Sequence, residues 1–396
     1  MTSRFHSPRA VFWTALLLAL TASGLGIWSA ASSIRQASVE PGKARDISAA
    51  EFSRLVQTMS EEEGYFLSDN FISNETAYLH VAGRLRAHGS PKGAYIGVGP
   101  EQNFTYIAQL RPSIAFIVDI RRQAVLQHLM YKAIFHLSEN RARFLSLLLS
   151  RPLGGKDAPD QRASILSVLQ GLESSAPSED FFRSNLARIR KVLLEDLRLP
   201  LSLYDQERLE YVYSAFRTEG LDITYRMGAS YWGSGYRRFP ALRDLIMETD
   251  LDGNLASFLA GEEDYGFVRS MHLENRIIPV VGDFAGSKAL ASVGEYLRRN
   301  GYTVRAFYTS NVEQYLFRNG VFPDFAENVR RLPIDGDGVF IRSVSARGQS
   351  HPARVSWHRN TTLLQKISVF LEDFDQGLYR DYWSLVTSRY ITDPRP

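Results

Sequence analysis

Residues 97–103, Gly97-Val98-Gly99-Pro100-Glu101-Gln102-Asn103, combine two glycines with a carboxylate and two amides directly after an apolar run. Glycine lets backbone approach a ligand closely, and a helix that begins here offers unpaired N–H groups and positive potential. Asp119 ends the next apolar run, 22 positions after Gly97. An acidic side chain about 20 residues past such a loop is placed to accept hydrogen bonds from ribose hydroxyls. Gln102 stands where a G-x-G-x-x-G fingerprint has its third glycine, which argues against a pyrophosphate dinucleotide. A purely structural reading stays open beside this one: the glycines permit a tight turn, and Asp119 caps a helix starting at Arg121.

A second loop, Gly282-Asp283-Phe284-Ala285-Gly286-Ser287-Lys288, is only superficially like a phosphate loop. A Walker loop has four residues between its glycines and Lys before Ser/Thr; here there are three, and the order is Ser-Lys. ATP hydrolysis is therefore excluded. Asp283 is the candidate catalytic residue, as a general base or substrate-positioning carboxylate, or else the cap of a helix starting near Ser287. A third loop, Ser310-Asn311-Val312-Glu313-Gln314-Tyr315, gathers polar groups after another apolar run, with helix capping as the competing role. His128, Lys132 and His136 share a helix face at i, i+4 and i+8. With no His-Glu-x-x-His and no carboxylate in register, they predict no metal site. The stretch Tyr231–Tyr236 lacks the G-x-S-x-G elbow of serine hydrolases and reads as a wall over the sheet edge or a packed loop. Asp69, Asn70, Asn74 and Glu75 precede the first predicted strand as a possible N-terminal flap over a cofactor.

These loops need a frame that brings them together. GAYIGVG (93–99) and SIAFIVDI (113–120) read as short buried strands, and FTYIAQL (104–110) as the helix between them, stopped at Arg111-Pro112. Continuous apolar runs, rather than alternating ones, mark a parallel sheet covered on both faces. Further strands are predicted at LDITYRM (221–227), IIPVVGDFAG (277–286), TVRAFYTS (303–310) and GVFIRSVS (338–345), with a helix over SKALASVGEYLRRN. The fold class expected is α/β, a doubly wound and mostly parallel sheet. Residues 121–218 show almost only helical periodicity, far more than one crossover needs, and predict an inserted helical subdomain. In such sheets ligands bind beyond the carboxyl ends of the strands, where all three loops fall.

Of the 396 residues, 44% are apolar and 22% charged, as in a globular protein with a real core, and 46 basic against 43 acidic residues leave +3. This near balance, with no long basic block, excludes a nucleic-acid partner. No cysteine is present, so disulfides, thiolate metal sites and thiol catalysis are excluded. Residues 10–28 form an uncharged apolar run behind Arg4 and Arg9, followed by Ser29-Ala30-Ala31. This predicts a signal peptide cleaved after Ala31 or a retained membrane anchor, with residues 32–45 as linker and 46–396 as the α/β domain. The expected location is membrane-anchored or exported, the outer side favoured, with membrane contact through residues 10–28 if they are not cleaved. A cytoplasmic-facing orientation stays open because Arg35, Lys43 and Arg45 follow the run.

The wording GAYIGVGPEQNFTYIAQLRPSIAFIVDIRRQ, with FLSDNFISNE upstream and IPVVGDFAG and YTSNVEQYLF downstream, resembles a family of largely uncharacterised bacterial proteins with a class I S-adenosylmethionine-dependent methyltransferase-like fold. The similarity covers most of residues 64–345. It implies that Gly97, Gly99 and Glu101 line the methionine part of S-adenosylmethionine, with Asn103 in the same loop, and that Asp119 holds the ribose. Pro100 stands where that family type commonly has a small residue, and there is no Asn/Asp-Pro-Pro-Tyr. Two functions follow as expectations: a methyltransferase acting on an unknown acceptor, or a non-catalytic exported or anchored binding module that keeps the Rossmann fold. An exported domain would be separated from a cofactor made in the cytoplasm.

Overall fold

Six strands build one sheet in the order β3-β2-β1-β4-β5-β6. They are β1 (Gly93–Gly97), β2 (Ile114–Asp119), β3 (Ile277–Val281), β4 (Thr303–Ser310), β5 (Ile334–Ser345) and β6 (Asn360–Lys366). The first five run parallel, and β6 joins β5 antiparallel at the edge. This computed structural model describes residues 46–89, 93–154, 163–225, 239–345 and 349–391. The predicted N-terminal segment, its linker and the Tyr231–Tyr236 loop lie outside the described residues.

The central strands are uniformly apolar because both faces are covered: every residue of β1, β2 and β3 is buried. Helix Gln102–Leu110 connects β1 to β2 and stops at Arg111, whose left-handed φ of 53° precedes Pro112. β1 and β2 pair in register from Ala94–Ile114 to Gly97–Ile117, so the predicted strand–helix–strand unit is present. Because β1 is flanked by β2 on one side and β4 on the other, the order reverses between β1 and β4. A crevice opens at such a switch point, beyond the carboxyl ends of the strands.

Two expectations are corrected. Of the strand predicted over 221–227, the described residues 221–225 form none: Gly220–Asp222 is a turn of 3-10 helix, and Thr224 makes one isolated bridge to Ala241. Beta-branched residues there met no neighbouring strand, and the local pattern alone could not supply one. The helical stretch between β2 and β3 therefore continues past residue 218 to helix Glu262–Leu273. Its first helix, Arg122–Leu137, packs against β2 and β3 and is buried over most of its length, which is why its apolar residues show no single face. In the other direction, β6 escapes a search for apolar runs. Asn360, Thr361, Thr362 and Gln365 are buried there as polar residues, and Asn360 and Gln365 are bonded on both sides.

Among the described residues no helix is long and apolar enough to cross a membrane. Residues from Ala44 onward form one compact unit.

Candidate functional site

The glycine loop is built around one amide. Asn103 Nδ2 donates to the carbonyls of Val98 (2.9 Å), Gly99 (3.0 Å) and Pro100 (2.8 Å), while its Oδ1 accepts from the Tyr95 hydroxyl at 2.8 Å. His128 Nε2 donates to the same Gly99 carbonyl at 2.8 Å. This fixes the ring as the Nε2–H tautomer, and burial pushes its pKa down to about 4. Gly97 is required for closeness, since a Cβ there would lie 2.0 Å from Asn103 Oδ1, and Gly99 for its φ of 80°. With the peptides trans, three carbonyls turned inward leave the Gly99 N–H directed away from Asn103, while the Glu101 N–H bonds its own carboxylate. The loop is thus rigid, and Asn103 is its internal brace rather than a free ligand group.

Asp119 sits at the carboxyl end of β2, as expected, but not across an open cleft. Its carboxylate is buried and gripped by Arg121, two residues on. Arg121 Nε and backbone N–H each donate to Oδ1 at 3.0 Å, and Nη2 donates to Oδ2 at 2.9 Å. The two side chains are 5% and 8% exposed. Burial raises the carboxyl pKa, and the charge and hydrogen bonds of Arg121 more than reverse that, holding it below its ordinary value. Residues two apart leave a strand on the same side, so the Asp-x-Arg spacing was the signal in the sequence for this partner.

Residues 60–77 run across all these strand ends in turn. At β3, Val281 N–H donates to Ser60 Oγ at 3.0 Å, and Asp283 N–H donates to Glu61 Oε1 at 2.7 Å. At β2, Gly64 N–H donates to the Ile120 carbonyl (2.8 Å), and Arg121 Nη1 donates to the carbonyls of Ser68 (3.0 Å) and Asp69 (2.7 Å). Gln123 and Tyr211 hold the Asp69 carboxylate at 3.1 and 3.0 Å. At β1, Ser73 N–H donates to Glu101 Oε1 at 3.2 Å. At β4, Glu75 accepts from Tyr308 Oη (2.9 Å), Gln102 Nε2 (2.8 Å) and Ser310 Oγ. The flap expected at Asp69, Asn70, Asn74 and Glu75 corresponds to part of this strap. Asp283 keeps its carboxylate for its own turn, accepting from Ala285 N–H at 2.9 Å. It lies at the β3 end, with β2 between it and the glycine loop.

Among the described residues Glu75 and Glu101 have no cation partner. Glu75 is buried, and burial raises its pKa against the hydrogen bonds of Ser310, Gln102 and Tyr308. Burial likewise pushes Glu101 up to about 7, with the Ser73 N–H opposing. Its Oε2 is buried and has no partner among the described residues. Glu101 faces a cavity of about 20 Å³ lined by Ser73, Tyr78, Thr105, Leu245, Ser257 and Phe258 among others, space for one water-sized group. Ser310, beside Glu75, has a left-handed φ of 53° without being glycine, a conformation that persists only where surroundings enforce it. Glu313 of the third loop is not free either: its Oε1 accepts from Arg342 Nε at 2.8 Å in a pair that is 0% and 2% exposed. A hollow of about 340 Å³ along residues 183–195 is lined by none of the predicted site residues.

Of the residues singled out in the sequence, Gly97, Gly99, Glu101, Asn103 and Asp119 come together at the β1 and β2 ends. Gln102, Tyr308 and Arg342 were missed because each becomes part of the site through a partner distant in the chain, and Arg121 was missed although its spacing from Asp119 was the signal. Among the described residues no group of three or more His, Asp or Glu could hold a metal ion. A family model described as a domain of unknown function, DUF7790, matches residues 70–153 and 206–391, more than half of the chain and including Glu75, Gly97, Gly99, Glu101, Asn103, Asp119 and Arg121. Comparison with curated proteins finds no match.

Proposed function

Since this chain belongs to the DUF7790 family, whose function is unknown, its activity must be argued from its own site, and we propose that it binds a nucleoside-type cofactor, with S-adenosylmethionine the candidate, at the β1–β4 crevice. The observation that carries this reading is the braced loop after β1. It turns three carbonyls in on Asn103, and so the Gly99 N–H away from it, at the point where the strand order reverses, with an acidic side chain, Asp119, at the end of the adjacent strand. An N–H so placed suits the carboxylate of the methionine moiety and Asp119 suits a ribose diol. By this reading the architecture is of the methyltransferase-like Rossmann type. Transfer to an acceptor of unknown identity would rest on orientation, because the sulfonium is already a reactive donor.

A second reading is favoured by one specific observation. Asp119 is already fully occupied by Arg121, and the strap covers the strand ends, as it would in a non-catalytic binding or scaffold protein that retains the fold. Calorimetric titration of the full chain with S-adenosylmethionine and S-adenosylhomocysteine separates the two. Saturable binding of either supports the cofactor reading, and no binding of either supports the scaffold. We also infer delivery to the membrane or beyond it through residues 10–28, the folded part on the outer side. A reporter fused after Pro396 that is active only in the cytoplasm would contradict it.

A further inference from the structure

A cofactor of nucleoside size needs a site of several hundred cubic ångströms, and the cavity beside Glu101 holds about 20 Å³. Something must move for a ligand to enter: residues 73–75 of the strap cover the β1 and β4 ends, and residues 64–69 cover the β2 end beside Asp119. The strap's attachments are unequal. Phe71 and Ile72 are fully buried and anchor its second half, whereas Tyr65 is 83% and Leu67 51% exposed in its first half. That exposed half is held by Arg121 through the Ser68 and Asp69 carbonyls and the Phe66 ring, and besides by the Gly64 N–H on the Ile120 carbonyl and by Gln123 and Tyr211 on the Asp69 carboxylate. The Asn70 amide, in the orientation that satisfies both its ends, adds its oxygen to Arg121 Nη2 at 3.3 Å and donates to the Ile72 carbonyl.

One guanidinium therefore does two jobs. Its Nε and Nη2 edge closes on Asp119, and its Nη1 holds the strap. A planar fork cannot turn one edge away and keep the other in place. With its side chain 5% exposed, Asp119 presents no free face to an incoming diol. We propose that Arg121 is a latch that makes ligand occupancy of Asp119 and attachment of residues 64–70 mutually exclusive. A diol that takes the Asp119 carboxylate displaces Arg121, and the displaced guanidinium releases the Ser68 and Asp69 carbonyls and with them the strap. This regulation rests on the cofactor reading for the identity of the ligand, but the mechanical link between Arg121 and the strap does not.

Hydrogen–deuterium exchange on the full chain tests the two parts separately. In Arg121→Gln, backbone amides of residues 64–70 should exchange at least tenfold faster while those of β1 and β4 keep their protection. Arg121→Lys, which keeps a charge for Asp119 but loses the fork, should give the same strap-confined change. Unchanged exchange at residues 64–70 in either folded variant, or equal loss of protection across the sheet in both, overturns the latch. In the wild-type chain, saturating S-adenosylmethionine should accelerate exchange over residues 64–70. Binding without that acceleration overturns the latch and leaves the cofactor reading intact. Asp69→Ala, which removes the Gln123 and Tyr211 contacts and leaves the Asp119–Arg121 pair in place, should bind S-adenosylmethionine at least threefold more tightly than wild type. If wild type and Asp69→Ala both fail to bind, the cofactor reading falls, and the exchange of Arg121→Gln still decides whether Arg121 secures the strap.

Discussion

At the scale of single residues, the decisive feature is that acidic groups expected to meet a ligand meet the chain itself. Asp119 and Arg121 form a buried pair, and removing one partner of such a pair leaves an uncompensated charge worth about 3 to 5 kcal/mol. Asp119→Ala should therefore lower the unfolding free energy by about that amount in denaturant titrations. A change under about 1 kcal/mol would show that the pair is dispensable. Glu101 behaves in the opposite sense. Its carboxyl is raised from 4.5 to about 7 in the folded chain, so the folded state binds the proton more tightly than the unfolded one. Its stabilising contribution is complete below about pH 4.5, declines as pH rises, and is lost above about pH 7. Glu101→Gln should remove this slope and gain on wild type by up to about 3 kcal/mol between pH 4.5 and 7.5. Parallel pH profiles of the two proteins would refute this.

At the scale of elements, the glycine loop and its helix act as one unit because a single amide ties three consecutive carbonyls together. Asn103→Ala loses those bonds and should destabilise by about 1 to 3 kcal/mol. Asn103→Asp is nearly isosteric but turns an acceptor toward the same three carbonyls. It should be worse than alanine, an order that thermal unfolding of the pair can check. If aspartate were the better tolerated, the loop would be held by packing instead. The spacing of Gly97, Gly99 and Asp119 made this unit legible in the sequence, since local chain geometry dictates a glycine turn between an apolar strand and a helix. The strap was visible only in part, as a flap over Asp69, Asn70, Asn74 and Glu75, because nothing local says which strand ends Glu61 and Glu75 will meet. LDITYRM shows the converse: its composition favours a strand, and only a neighbour in space could have made it one.

At the scale of the molecule, residues from Ala44 onward cohere as one unit, so a chain lacking residues 1–45 should fold cooperatively with a melting temperature within about 2 °C of the full chain. Loss of a cooperative transition in that shortened chain would refute it. The α/β class, the parallel pairing of β1 with β2 and the position of Asp119 at a strand end were determined by sequence alone, since strand periodicity, glycine and proline act within a few residues. Tertiary structure alone decided which groups are spoken for. The Nη1 of Arg121 could equally have faced solvent, Asn103 a ligand and Glu75 open water, until the strand order 3-2-1-4 brought loops from residues 61 to 310 to one edge. Side-chain partnership is a property of that edge, and local sequence carries no term for it.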